Sequence, residues 1–178
     1  MTALWLLALQ GVIGAFDTIY YHEWKARLPA LGKYAAKELR LHAIRDFLYA
    51  VLFVGLALVQ WRGMWAAVIV IVLVAEIVFT LWDFIVEAVV RKPLGDVYAG
   101  ERVTHAIMGI LYGAMLVFLL STLQTWWSLP TELVCLNPDI PPVLRWSLVI
   151  MGCGVSLSGV RDLYAASGLP GGGWPWKL

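Results

Sequence analysis

Two stretches, "ELRLH" and "ERVTH", place a glutamate four residues before a histidine: Glu38 with His42, and Glu101 with His105. A third, "DFIVE", sets Asp83 four residues before Glu87, with Glu76 seven residues ahead of Asp83. Pairs at i,i+4 share one helix face, so each stretch presents two ligating side chains together. A fourth, "FDTIYYHE", adds Asp17, His22 and Glu23. At about 100° per residue these three cannot all share a face of a regular helix. Either Asp17 turns inward with Tyr21, or His22 does with Glu23, or the helix unwinds locally. Carboxylates and imidazoles without thiolate form a donor set for iron, manganese or zinc. The expectation is a site for two divalent ions, iron first and zinc or manganese next. Glu38, His42, Asp83, Glu87, Glu101 and His105 are its core ligands. His22, Glu23 and Asp17 are the contributions of the first segment, and Glu76 is a deeper ligand or a partner of Arg45.

The elements that position these groups are read from hydropathy. The chain of 178 residues is 61% hydrophobic and only 14% charged, and its mean hydropathy is +0.79. A soluble domain is closer to half apolar and about a quarter charged. Ten Trp and seven Tyr suit long perimeters at membrane–water interfaces. A spanning helix needs roughly 20 mostly apolar residues. Five segments meet that requirement: 3–27, 34–61, 63–91, 97–126 and 141–166. Breaks fall at "RLPALGK", "WRGMW", "RKPLGD" and "SLPTELVCLNPDIPP". The fold class expected is an all-α integral membrane protein, one transmembrane domain over 1–178, with the first four segments packed antiparallel around the polar site. The first segment lacks a basic leader and a small-residue cleavage site, so it reads as a retained helix. Residues 167–178 read as an irregular interfacial tail, with Trp174 and Trp176 near the headgroups.

Charge sets the orientation. Lys25, Arg27, Lys33, Lys37 and Arg40 flank the first break, and Arg91, Lys92 and Arg102 flank the third. Arg62 and Arg145 are the basic residues on the opposite face. Positive charge marks the cytoplasmic side, so the N-terminus is expected outside and the C-terminus, with Lys177, inside, in a bacterial inner membrane. On that topology every acid and histidine of the set falls in the cytoplasmic half. Glu23, Glu38, Glu87 and Glu101 lie about four or five residues from the helix ends, roughly 6–8 Å deep. Asp17, His42, Asp83 and His105 lie one or two turns deeper.

Acids at such depths are costly unless paired, protonated or metal-bound. Arg45 is the one mid-helix cation before the fifth segment, placed to reach Asp46 or Glu76, so the remaining acids call for another positive charge. In ligand type and helix logic, residues 17–105 resemble membrane-embedded di-metal (di-iron-like) carboxylate four-helix proteins, although the pairs here are Glu-x-x-x-His and the usual motif is Glu-x-x-His. The resemblance implies an oxidoreductase of hydroxylase or desaturase type. Its partners would be membrane lipids, a lipid-soluble substrate and a cytoplasmic electron donor. The closely spaced histidine boxes of membrane fatty-acid desaturases are absent from a chain with three histidines.

Other readings of the same residues are a zinc hydrolase, with Asp17 or Glu76 as general base, a metal or proton transporter, a structural polar network, and a b-type haem held by His42 and His105. A conduit needs polar residues across the whole bilayer, and the outer halves of the first four segments offer almost none. No basic run points to nucleic acid. Cys135 and Cys153 form no metal motif. "GCGVSLSG" reads as a close-packing face, and Arg161 and Asp162 lie near the site's rim or pair at the interface.

Overall fold

The computed structural model describes residues 1–136 and 139–176. Lys177, counted above among the positive charges, lies outside the described residues, as do Asn137 and Pro138 of the long loop. Among the described residues the regular structure is helical but for one short strand pairing. Helix α1 (Thr2–Phe16) runs without a break into a π-helical segment, Asp17–Lys25; α2 is Leu28–Leu31 and α3 Ala36–Leu58. Strand β1 (Val59–Trp61) precedes α4 (Trp65–Val90), α5 (Ala99–Trp127), β2 (Leu133–Cys135) and α6 (Pro142–Ala166). Five helices, α1 with its π-helical extension, α3, α4, α5 and α6, are long and apolar enough to cross a membrane.

Two boundaries differ from the sequence expectation. Residues 59–61 leave the helix and pair antiparallel with Leu133–Cys135, Gln60 facing Val134. β-Branched Val59 and aromatic Trp61 suit an extended pair, and the pairing satisfies backbone groups that the tight "WRGMW" turn would otherwise strand. The first break, expected as loop, contains α2 and a 3-10 turn, Gly32–Tyr34. Pro29 in its first turn costs no helical hydrogen bond. In the third break, Asp96 accepts from the Val97 amide and from Arg102 Nη2, each at 2.8 Å. The Val97 hydrogen bond, then Arg102, holds the Asp96 carboxyl below its ordinary range.

The apolar core fills the half of the helices away from the acids. Leu7, Leu52, Ile69, Met115 and Leu148 lie fully buried in it. A smaller cluster of Leu28, Leu39 and Ala165 closes the other end. The most extensive helix contact is α3 with α6, followed by α3 with α4 and α1 with α5; α4 and α5 touch far less. The fifth span, α6, thus lies along α3. "GCGVSLSG" explains that contact. A Cβ at Gly152 would lie 2.5 Å from Val54 Cγ2, and one at Gly159 3.2 Å from the Ala43 carbonyl. Their spacing of seven puts both on the face that meets α3. Gly154 faces elsewhere, and a Cβ there meets nothing within 4 Å.

Gly152→Leu will therefore overpack α3 against α6 and cost about 1–3 kcal/mol. Gly154→Leu will be neutral or stabilising, because glycine is a poor helix former. Thermal unfolding in detergent checks the pair; equal melting temperatures would contradict this packing.

The tail folds back over the first break. A Cβ at Gly173 would lie 2.9 Å from Ala30 Cα. Trp174 is exposed. Trp176 instead packs on the Arg27 guanidinium and donates to Glu23 Oε2 at 3.3 Å. Both cysteines are free thiols.

Candidate metal centre

The π-helical segment resolves the conflict in "FDTIYYHE". A π-helix hydrogen-bonds i to i+5 and is found mostly as single turns at functional sites. Here it covers nine residues and ends with the Ala26 amide donating to the Tyr21 carbonyl at 2.8 Å. The wider turn brings residues five apart onto one face, so Asp17 and His22 point the same way. Tyr21 seats the segment on α5: a Cβ at Gly100 would lie 2.1 Å from the Tyr21 hydroxyl. Only glycine admits that ring next to Glu101.

His22, Glu87, Glu101 and His105 converge, each offering one donor atom, and these atoms all lie within 4.8 Å of one another. His22 Nε2 is 3.1 Å from Glu101 Oε1, and His105 Nδ1 is 3.7 Å from Glu87 Oε2. Asp17 joins the two imidazoles: its Oδ2 lies 3.0 Å from His105 Nε2 and 3.4 Å from His22 Nε2. Stacking fixes the rings, Phe84 on His105 at 5.1 Å between centroids and His42 on His22 at 4.6 Å. Glu101 is also tied to the start of α5, where its Oε2 accepts from the Tyr98 amide at 3.4 Å.

Beside this quartet lies an ion-pair lattice. Arg91 is 2% exposed; its Nε donates to Glu38 Oε1 at 2.7 Å and its Nη2 to Glu101 Oε1 at 3.2 Å. Arg45 Nη1 donates to Asp83 Oδ2 at 2.5 Å, so its partner is Asp83, not Asp46 or Glu76. His42 turns Nε2 to Asp83 at 3.4 Å and Nδ1 to Asp162 at 3.7 Å. Glu23 pairs with Arg161, and Glu76 accepts from Thr80 Oγ1 at 2.6 Å. The structure thus gathers Asp17, His22, Glu87, Glu101 and His105. It gives Glu38 and Asp83 to arginines, sets His42 between two acids, and leaves Glu23 and Glu76 outside the cluster.

Arg91 is the participant that hydropathy hides, since it stands where a span gives way to its loop; Arg161 and Asp162, expected at the site's rim or paired at the interface, meet Glu23 and His42. For Arg91 a signal was present: Asp83, Glu87 and Arg91 follow one another at four-residue intervals on a single helix face.

The donor set fits an ion. Buried polar atoms normally find a partner, yet Asp17 Oδ1 and Glu87 Oε1 have no hydrogen-bond partner in the structure. The same holds for Glu38 Oε2 and Asp83 Oδ1. Two carboxylates and two imidazoles with orphaned acceptors are what a hard or borderline divalent cation takes. A haem between His42 and His105 does not fit, because the His22 ring lies against both, 4.6 Å from His42 and 6.3 Å from His105.

A cavity of about 560 Å³ adjoins the centre, reaching from His22, His42 and His105 to Gln10, Phe53 and Met151. Compared with family models, with curated proteins and with solved structures, the chain matches none.

Proposed function

We propose that the chain is an integral membrane metalloprotein that holds a divalent ion between its π-helical segment, α4 and α5, and acts as an oxidoreductase on a lipid-soluble substrate. The convergence of His22, Glu87, Glu101 and His105 carries this reading. When bound, the ion supplies a redox-active or Lewis-acidic centre at the wall of the cavity. Asp17 engages His105 at Nε2 and leaves Nδ1 of that ring facing Glu87, which sets its tautomer and orientation. Arg91 holds Glu101 in place. Phe84 and the apolar walls keep water from the ligands.

Of the two ions that the sequence leads one to expect, the geometry favours the one at the quartet. Glu38 and Asp83, two of the expected ligands, face Arg91 and Arg45 at 2.7 and 2.5 Å, whereas Glu101 shares Arg91 at the longer 3.2 Å; the two nitrogens of His42 address different carboxylates. Enzyme is favoured over conduit because the cavity stops at Gln10, below an apolar half. Iron is the ion best matched to an oxidoreductase. Reduction followed by air should change the absorption of the purified protein in both steps. A colourless, redox-inert protein filled with zinc would move the reading to hydrolysis.

In the same reading the five spans form a bundle around the polar site, with the N-terminus outside and the loops at 28–33 and 92–96 in the cytoplasm. The Lys and Arg bias supports this orientation. A cysteine introduced at Lys33 should react with a membrane-impermeant maleimide only after the membrane is opened, and one at Glu132 without opening. Labelling of position 33 in sealed cells would invert the topology.

A further inference from the structure

We infer that the cavity beside the centre is the binding chamber of a neutral lipid, a hydrocarbon chain whose polar group is a hydroxyl, admitted sideways from the membrane. The inference rests on the metal-centre reading for what the lipid is brought to; the chamber itself is argued from its walls.

The cavity lies within the spans. His105 and Tyr112 both line it and are seven residues apart on α5, so it runs about 10 Å along the helices beyond the centre. A volume of about 560 Å³ is of the size that encloses most of a small organic ligand. Phe53, Ile77, Phe84, Met108 and Met151 make its walls mostly apolar.

Missing side chains give it doors. Gly109 on α5 and Gly154 on α6 both line the cavity, and a Cβ built on either meets nothing within 4 Å. Leu81 of α4 and Ile19 of the π-helical segment line the cavity as well and are 58% and 66% exposed. Residues that face the chamber and the outside of a spanning helix together mark openings toward lipid, not toward water. The loose contact of α4 with α5 agrees with an opening at Gly109.

Charge decides the class of lipid. Asp17, Asp46, Glu76 and Asp162 line the chamber with His22, His42 and His105; of the other charged lining residues, Arg45 is bound to Asp83 and Glu23 to Arg161, so among the described residues four acids face three imidazoles with no lining arginine or lysine free. An anionic head, a fatty carboxylate or a phospholipid phosphate, would meet a surplus of negative charge at low dielectric. At the inner end Gln10 is 4% exposed. Its Nε2 donates to the Tyr49 hydroxyl at 2.7 Å, and its Oε1 has no hydrogen-bond partner. That acceptor matches the donor of an alcohol.

The test uses the full chain in lipid nanodiscs and two probes of one chain length, geranylgeraniol and the anion of geranylgeranoic acid, with binding read by native mass spectrometry at pH 8. The wild type should bind the alcohol at least tenfold more tightly than the acid. Gly109→Leu with Gly154→Leu, which fills the doors and improves helix propensity, should lose at least tenfold in alcohol binding with an unchanged circular dichroism spectrum. If that double variant does not fold, Gly109→Val and Gly154→Val made singly replace it, each with a loss of threefold or more. Equal binding of alcohol and acid, or alcohol binding untouched by the substitutions, would overturn the inference. Metal content is measured on the same samples. Alcohol binding in a metal-free protein sinks the metal centre and leaves the chamber standing; full metal with no alcohol binding does the reverse.

Discussion

Arg91→Met will destabilise the protein by about 3–5 kcal/mol, the usual cost of stripping one partner from a buried ion pair. The side chain leaves the end of α4 and reaches two other helices, Glu38 on α3 and Glu101 on α5. Methionine keeps most of the aliphatic stem, so packing changes little. What changes is that Glu38 and Glu101, both fully buried, lose their shared cation. Adding Glu38→Gln to Arg91→Met should recover part of the loss, because one uncompensated charge disappears. Arg91→Lys should fall between the two, since an ammonium cannot fork to both carboxylates. Melting of the detergent-solubilised variants checks the order. A melting temperature of Arg91→Met equal to that of the wild type would mean that Arg91 sits in the interface as a loop charge, as its place at the end of an apolar run first implies.

Asp17→Asn will weaken metal affinity by about 10–100-fold, the range found when the partner of a ligating histidine is altered. The amide keeps the shape of the side chain and removes its charge. The contacts at stake are those of Oδ2 with His105 and His22. An asparagine can still accept one hydrogen bond, so the fold should persist while His105, whose Nε2 faces Asp17, becomes a poorer donor to the ion through Nδ1. Competition with a chelator of known affinity measures the effect. Affinity unchanged within twofold would show that Asp17 is a mere neighbour, and its oxygen at 3.0 Å from His105 an unrelated hydrogen bond.

Much of this could be read from the chain before any coordinates. Hydropathy placed five spans to within a few residues, because the demand for an apolar stretch long enough to cross a bilayer leaves little freedom. The i,i+4 pairs "ELRLH", "ERVTH" and "DFIVE" pointed their acids and histidines inward for the reason that helix geometry gives. What the sequence hid lies where local periodicity stops being regular. The π-helical segment, with its i→i+5 bonds, put Asp17 and His22 together when a regular helix would have parted them. The partition of acids between the quartet and the arginines depends on how far Arg91 and Arg45 reach across helices, which no single-helix pattern encodes. Asp162 and Arg161 entered because α6 packs along α3 through Gly152 and Gly159. That interhelical contact is signalled only by small residues.

The claim at the centre of this account is that His22, Glu87, Glu101 and His105 hold a divalent ion. Elemental analysis of protein purified in detergent without chelator, for the wild type and for His22→Ala with His105→Ala, tests it most directly. The account expects about one tightly held ion per chain in the wild type, in line with the affinity of sites whose ligands are set by the fold. The double variant should retain less than a tenth of that content and still give the same helical spectrum. A wild type that holds no iron, manganese or zinc after reconstitution with each, or a double variant that keeps its full complement, would contradict it.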